Sequence, residues 1–218
     1  TPQGGVISPL LANCSRHSLD RIWQRQQLTG TRKAHLVRDA DDVVVLCAKG
    51  VEEPLAVIRH VLDRLGLTLN EAKTQVVDAT SARVNFLGCS IRMSQGRKSG
   101  NPYPHVCPSA QSVRNIKTTL TALTGRELTP LARDTIVGNV NRSLTGWVHD
   151  FHSLKSSQAM DKVKTHAEQR LRTHVMTRHQ VKDRGIGEGR FPSVHRYRRD
   201  GLYKIPTAAA WRSAHALA

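Results

Sequence analysis

"VRDADDVVVLC", residues 37–47, sets three carboxylates, Asp39, Asp41 and Asp42, against the start of a β-branched run. Val43, Val44, Val45 and Leu46 have the composition of a strand buried on both faces, where an unpaired carboxylate is expensive. The acids therefore belong at its entrance. With "KAHLVRD" (33–39) before it, the run predicts a β-hairpin carrying the acids at its tip. Asp41 and Asp42, ionised together, repel unless a cation lies between them, and hard dications such as Mg²⁺ favour carboxylate oxygen. Aspartate is equally an ordinary turn residue, so the surrounding sequence has to decide between the two readings.

Upstream, "SPLLANCSRHSLDRIW" (8–23) opens with a Ser-Pro helix start and brings Leu11, Cys14, Ser18 and Ile22 towards one face of a helix. Downstream, "VEEPLAVIRHVLDRLG" (51–66) predicts a second helix, with Leu55, Ile58, Val61, Leu62 and Leu65 on its apolar stripe and Gly66 at its stop. "LTLNEAKTQVVDA" (67–79) and "RVNFLGCSIRM" (83–93) read as strand-rich, with Gly88 suited to a bend. Residues 1–93 thus predict an α+β domain. The Gly, Pro and Ser of 94–109 have no period and predict a linker.

Three helical stripes follow in 110–180 and predict a small all-α bundle. They are Val113, Ile116, Leu120 and Leu123; then Ile136, Val140, Leu144, Trp147 and Phe151; then Met160, Val163, Ala167, Leu171 and Val175. Trp147 reads as a core residue of that bundle. The last segment, 181–218, is a basic tail in which "RYRRDGLYKIP" interleaves Arg196, Arg198, Arg199 and Lys204 with Tyr197 and Tyr203. Such a mixture suits phosphate contact with some stacking, or else a disordered tail.

Charge narrows the partners. Of 33 Lys and Arg, 19 fall after residue 100, against 8 of the 17 acids, so +11 of the net +16 lies in the second half. That asymmetry points to a polyanion, nucleic acid before anionic membrane. Arg114, Lys117, Arg142, Lys162, Lys164 and Arg170 stand on the polar helix faces as candidate RNA contacts. No run of about 18 apolar residues exists to span a membrane and no secretory signal is visible, so a soluble, cytoplasmic protein is expected. Cys14, Cys47, Cys89 and Cys107 form no CxxC pair and read as mostly buried thiols; the scattered histidines offer no zinc-ligand spacing. The chain opens on "TPQGG" without a methionine, as a fragment would.

Four motifs stand in order within the first 90 residues: "TPQGGVISPLLAN" (1–13), "ADD" (40–42) before its apolar run, "GLTLNEAKTQ" (66–75) and "FLG" (86–88). Together they resemble the palm of a group II intron reverse transcriptase and maturase. "NRSLTGWVHDFH" (141–152) resembles that family's thumb, or maturase X domain, and the basic tail resembles its short DNA-binding region. No paired-cysteine endonuclease module follows.

The resemblance implies two-metal nucleotidyl transfer, with Asp41 as principal Mg²⁺ ligand and Asp42 as its helper. A third aspartate, from an earlier palm strand, would lie before residue 1 and leave the two-metal site incomplete here. Gln3, Gly4 and Gly5 would line the nascent base-pair pocket, Lys73 would stand near the triphosphate, and Phe86, Leu87 and Gly88 would support the primer end. Implied partners are intron RNA, an RNA template, a DNA primer, dNTPs, target DNA and a complementing N-terminal chain; a bacterial origin follows from the family's distribution. Asp39 departs from the pattern, which has an aromatic before "ADD", and a carboxylate there would repel the primer phosphate or compete for metal. Two alternatives stand beside the polymerase: a non-catalytic intron RNA-binding splicing factor, and a degenerate truncated remnant.

Overall fold

The computed structural model describes residues 17, 19–39, 42–48, 50–96 and 99–206, in two compact units, Thr1–Val77 and Asp78–Ala218. In the first unit α1 (19–25) buries Leu19 and Trp23, one position off the predicted Ser18 and Ile22 face. Ser18, with Leu11 and Cys14, lies outside the described residues. Trp23 Nε1 donates to the Ala34 carbonyl at 3.1 Å, which ties α1 to the first strand. After the single turn α2 (Leu28–Thr31), strands β1 (Ala34–Asp39) and β2 (Asp42–Cys47) pair antiparallel.

Among the described residues, only one face of that hairpin is packed. Ala34, Leu36, Val45 and Cys47 join Leu19, Trp23, Leu28, Val57 and Val61 in a small core. Val37 and Leu46, on the opposite face, remain 42% and 47% exposed. The expected burial on both faces is therefore not met, because β-branched composition reports strand preference without reporting how many layers cover the strand.

Helix α3 (Glu52–Arg64) buries Pro54, Val57 and Val61, a stripe rotated from the predicted Leu55 and Leu62 edge. Gly66, at φ 67°, ends it, and the Leu67 N–H reaches back to the Leu62 carbonyl at 2.9 Å. Residues 67–79 do not form the expected strand. Asn70 captures the backbone instead: its carbonyl accepts from the N–H groups of Lys73 and Thr74, and its side-chain oxygen accepts from Lys73 at 3.2 Å.

The second unit opens with an antiparallel sheet in the order β3 (Val84–Phe86), β4 (Cys89–Gln95), β5 (Pro102–Pro108). Strand β5 and the last two residues of β4 together take up more than half of the segment, 94–109, that composition assigns to a linker. Pro102, Pro104 and Pro108 sit on alternate positions of an edge strand, so their missing N–H groups fall on the side away from β4. That side is also where the Val106 carbonyl accepts from the Lys155 N–H at 3.0 Å. The division between units falls at Val77, ahead of the sheet, so the sheet shares the second unit with the helices that follow.

The β3–β4 turn is Leu87–Gly88, both with positive φ (49° and 74°), the backbone of a two-residue hairpin that favours Asn-Gly. Leucine is strained in that region by about 1–2 kcal/mol. Leu87→Asn is therefore expected to stabilise the unit by about 1 kcal/mol in denaturant unfolding. Gly88→Ala should do the reverse, because a Cβ there meets the Phe151 ring at 3.2 Å.

Helices α4 (Ala110–Ala122), α5 (Arg133–Phe151) and α6 (Ser157–Arg178) follow, and Ser109 caps α4 by accepting from the Ser112 N–H at 3.1 Å. Ile116, Leu120, Ile136, Val140, Leu144, Trp147, Met160, Val163, Ala167 and Leu171 make one core, in line with the helical periodicity. Trp147 is a core residue, tilted against Phe151 at 5.1 Å.

The tail is built into this core. Short helices α7 (Arg184–Arg190) and α8 (Ser193–Arg198) lead to Leu202 and Ile205, which complete it. Asn141 clasps the return, donating to the Gly201 carbonyl and accepting from the Tyr203 N–H. The tail residues read as phosphate and stacking contacts divide accordingly: Arg196 is 1% exposed, the Tyr197 hydroxyl donates to Glu168, and Tyr203 packs against the core, while Arg198, Arg199 and Lys204 remain exposed.

One histidine makes this packing sensitive to acid. His166 Nε2–H donates to the Lys117 carbonyl at 3.1 Å on the seam of α4 and α6. Burial lowers its pKa from the ordinary 6.5, with the Lys117 bond opposing and the Lys117 and Arg170 charges adding to the fall. The neutral ring is the folded form, so its contribution is present above 6.5 and is lost as pH falls through the lower folded value. His166→Gln keeps the donor without the titration, and should flatten that acid limb of a melting-temperature profile.

Candidate catalytic hairpin and nucleic-acid interface

In the first unit, the hairpin register sets Asp39 directly opposite Asp42, on the face away from the small core. Both are exposed, and the two residues between them, Ala40 and Asp41, lie outside the described residues, as do Gln3, Gly4 and Gly5. The adjacent cation does not neutralise this end: Arg38 faces the other way and bonds Asp20 of α1 at 3.0 Å. Two like charges opposed across a ladder destabilise it unless something positive joins them. The donor set is all carboxylate oxygen, which fits a hard dication. Among the described residues no group of three or more acids, histidines or cysteines gathers to hold an ion.

Lys73 is exposed in the Asn70 turn, whose neighbour Glu71 pairs with Arg59 of α3 at 3.0 Å. Lysine at the end of such a braced turn is free to meet an anion from solvent.

In the second unit Phe86, Leu87 and Gly88 form one wall of a groove of about 540 Å³, facing α4 and α5. Trp147 closes its base, its indole N–H donating to the Ser112 hydroxyl at 3.0 Å, and Asn115 and Asp150 supply polar edges. An apolar floor with polar rims suits a sugar or base edge beside a backbone.

The six basic candidates on the helices differ in what their charges do. Arg114 and Arg142 are exposed, held only by Gln111 and Asn139 on their own helices; Lys162 is exposed, and Lys117 and Lys164 are half-buried. Arg170 is occupied. Its guanidinium bonds the Thr124 hydroxyl and the Thr121 and Thr124 carbonyls, closing the end of α4 onto α6. Arg172 likewise holds the tail through the Phe191 carbonyl, Glu188 and Ser193. Planar five-donor guanidinium suits such stapling better than ammonium does, which is why a charge count alone overstates the free cationic surface.

The three described cysteines, Cys47, Cys89 and Cys107, are free and half-buried. Burial, then Glu52, pushes the Cys47 thiol up; burial, then Cys107, pushes Cys89 up. Sequence reasoning passed over a cluster around the tail, in which Arg133 and Arg196 share the buried carboxylate of Asp200. Only the Arg196 and Asp200 spacing of four on a helical stretch hinted at it. No helix among the described residues is long and apolar enough to cross a membrane.

Residues 1–91 match the family described as reverse transcriptase (RNA-dependent DNA polymerase), and residues 113–188 match the group II intron, maturase-specific domain. The first match crosses the division at Val77 and takes in the Phe86–Gly88 turn; the second begins inside α4 and ends inside α7. Among curated proteins no relative matches the chain. With the two domains in this order on one chain, the protein belongs to the group II intron reverse transcriptase and maturase family.

Proposed function

We propose that the chain takes part in RNA-directed DNA synthesis by metal-assisted nucleotidyl transfer and grips intron RNA through its helical unit, the three long helices acting as the thumb. The observation that carries this reading is the carboxylate end of the β1–β2 hairpin: Asp42 is exposed and faces away from the core, and Arg38 of the same hairpin is turned to the other face. Asp41 and Asp42 would hold Mg²⁺. When bound, the ion would offset the charge that builds on the attacking and leaving oxygens.

The chain's own side chains would then divide the work. Gln3, Gly4 and Gly5 would line the pocket of the incoming nucleotide, where glycine lets backbone approach a base pair closely. Lys73 would meet the leaving pyrophosphate and offset its charge. The Leu87–Gly88 turn would support the primer end beside the groove floored by Trp147. Arg114, Lys117, Arg142, Lys162 and Lys164 would meet RNA phosphates, and Arg170 is left out because its Nε and Nη2 donors are taken up inside the unit.

Primer extension on an RNA template in Mg²⁺ tests the reading, using the chain alone and the chain joined to the fingers and upstream palm of a group II intron reverse transcriptase. Extension that depends on Asp41 supports it; full extension by the Asp41→Ala protein overturns it. A second reading, intron RNA binding without synthesis, is favoured by the exposed cations on α4, α5 and α6. It predicts structured-RNA affinity that falls steeply with salt, by about 0.7–0.9 log units per tenfold salt for each phosphate met, unchanged by Asp41→Ala.

A further inference from the structure

A pocket of about 300 Å³ in the second unit is lined by Arg133, Arg190, Arg196, Arg199, His179 and His195 around the Phe191 ring. Its charge is strongly one-sided. Among the described residues Asp200 is the one carboxylate bonded to this group, and it meets both Arg133 and Arg196, the latter at 2.8 Å. Two guanidinium groups on one carboxylate leave a positive charge over, before Arg190 and Arg199 are added at the rim.

Arg196 is the informative member. It is 1% exposed, yet only Nη1 has a partner; Nε and Nη2 are buried without a hydrogen bond, as is Nε of Arg133. Burying a guanidinium with unused donors is unfavourable, so a residue built this way has reason to be there. Phe191 is flanked by His179 at 5.4 Å and by the guanidinium groups of Arg190 and Arg196 at 5.6 and 5.8 Å, which orders the wall of the pocket. Burial lowers the Arg196 pKa; Asp200 opposes this, and Arg133 and Arg172 add to the fall. An added anion would relieve both like-charge neighbours.

We propose that this pocket binds a phosphate group of a nucleic-acid strand, with Arg196 at its floor and Arg133, Arg190 and Arg199 around the phosphate oxygens. A phosphate presents several acceptor oxygens and the pocket presents donors in excess, the complementarity in which arginine is most effective. A chloride ion offers a single acceptor centre in place of several separated oxygens. The nucleic-acid source of the phosphate rests on the function proposed above; the anion site itself does not.

The test is a titration of the full chain followed by NMR of the arginine Nε–Hε signals. Inorganic phosphate should shift the Arg133 and Arg196 signals saturably, and chloride at equal ionic strength should not. Short single-stranded RNA should produce the same shifts, and comparison of 5′-phosphate with 5′-hydroxyl RNA tells a terminal from a bridging phosphate. Arg199→Gln, at an exposed rim position, should weaken both ligands about five- to tenfold and reduce the salt slope for RNA by about one. Equal shifts with chloride, or none with phosphate, overturn the site. Shifts with phosphate but not with RNA overturn the nucleic-acid source. RNA binding that leaves these signals unmoved overturns the proposal while leaving the RNA-binding function intact.

Discussion

Asp41→Ala, in the chain joined to the fingers and upstream palm of a related enzyme, is expected to lower Mg²⁺-dependent primer extension by about a thousandfold or more. Asp42→Ala should cost less, since it would supply the secondary contact. Neither should change RNA affinity, because the helical unit carries its own cations. Asp39 sharpens the test. Its register position opposite Asp42 puts two carboxylates on one face of the ladder, where like charges oppose one another and both would compete for one cation. Asp39→Tyr should therefore raise extension, and should stabilise the hairpin by about 0.2–1 kcal/mol in metal-free buffer. Added Mg²⁺ should narrow that stability difference, since the ion favours the acid pair. If Asp39→Tyr lowers extension instead, Asp39 serves the reaction and the reading of it as an impediment is wrong.

The largest loss of stability is expected at Asp200. Its side chain and that of Arg196 are each 1% exposed, and Arg133 completes the group. Asp200→Ala strips the carboxylate from the buried Arg196 and the partly exposed Arg133, and orphaning a buried charge in this way costs about 3–5 kcal/mol. The loss should appear as a lower unfolding midpoint of the second unit. Replacing the charges together, with Asp200→Leu and Arg196→Met, should recover most of it, because the penalty belongs to the orphaned charge and not to the missing attraction. Recovery of stability without recovery of phosphate-induced shifts would separate the structural role of Arg196 from its role in the pocket.

Much of the fold was legible before any coordinates. The stripes of α4, α5 and α6 were read position by position, since an apolar residue every third or fourth place can be buried in only one way on a helix. The hairpin with acids at its end was legible too, as alternating apolar segments meet at a polar tip. Strand β5 was not. Three prolines in seven residues argue against a strand in general, and only an edge position with the imide nitrogens turned outward makes them acceptable. The turn at Asn70 was missed for the opposite reason: apolar neighbours suggested a strand, while the Asn70 side chain, holding the Lys73 N–H beside the turn's own backbone bonds, decided locally.

For the site, motif order within the chain determined the family and the candidate carboxylates, because each motif is a short, contiguous run whose residues act close to where they are written. What charge does is a different matter. Composition determined that the second half is basic, but Arg170 and Arg172 are staples, Arg196 is buried, and Lys162 stays exposed; no count distinguishes them. Only the tertiary structure sets Asp39 opposite Asp42, completes the core with the tail, and brings Arg133 to Arg190, Arg196 and Arg199 around one pocket. The physical reason is range: helical and strand periodicity is set by neighbours a few residues away, whereas the partner of a buried charge is chosen by packing across the chain, as Arg133 and Asp200 illustrate.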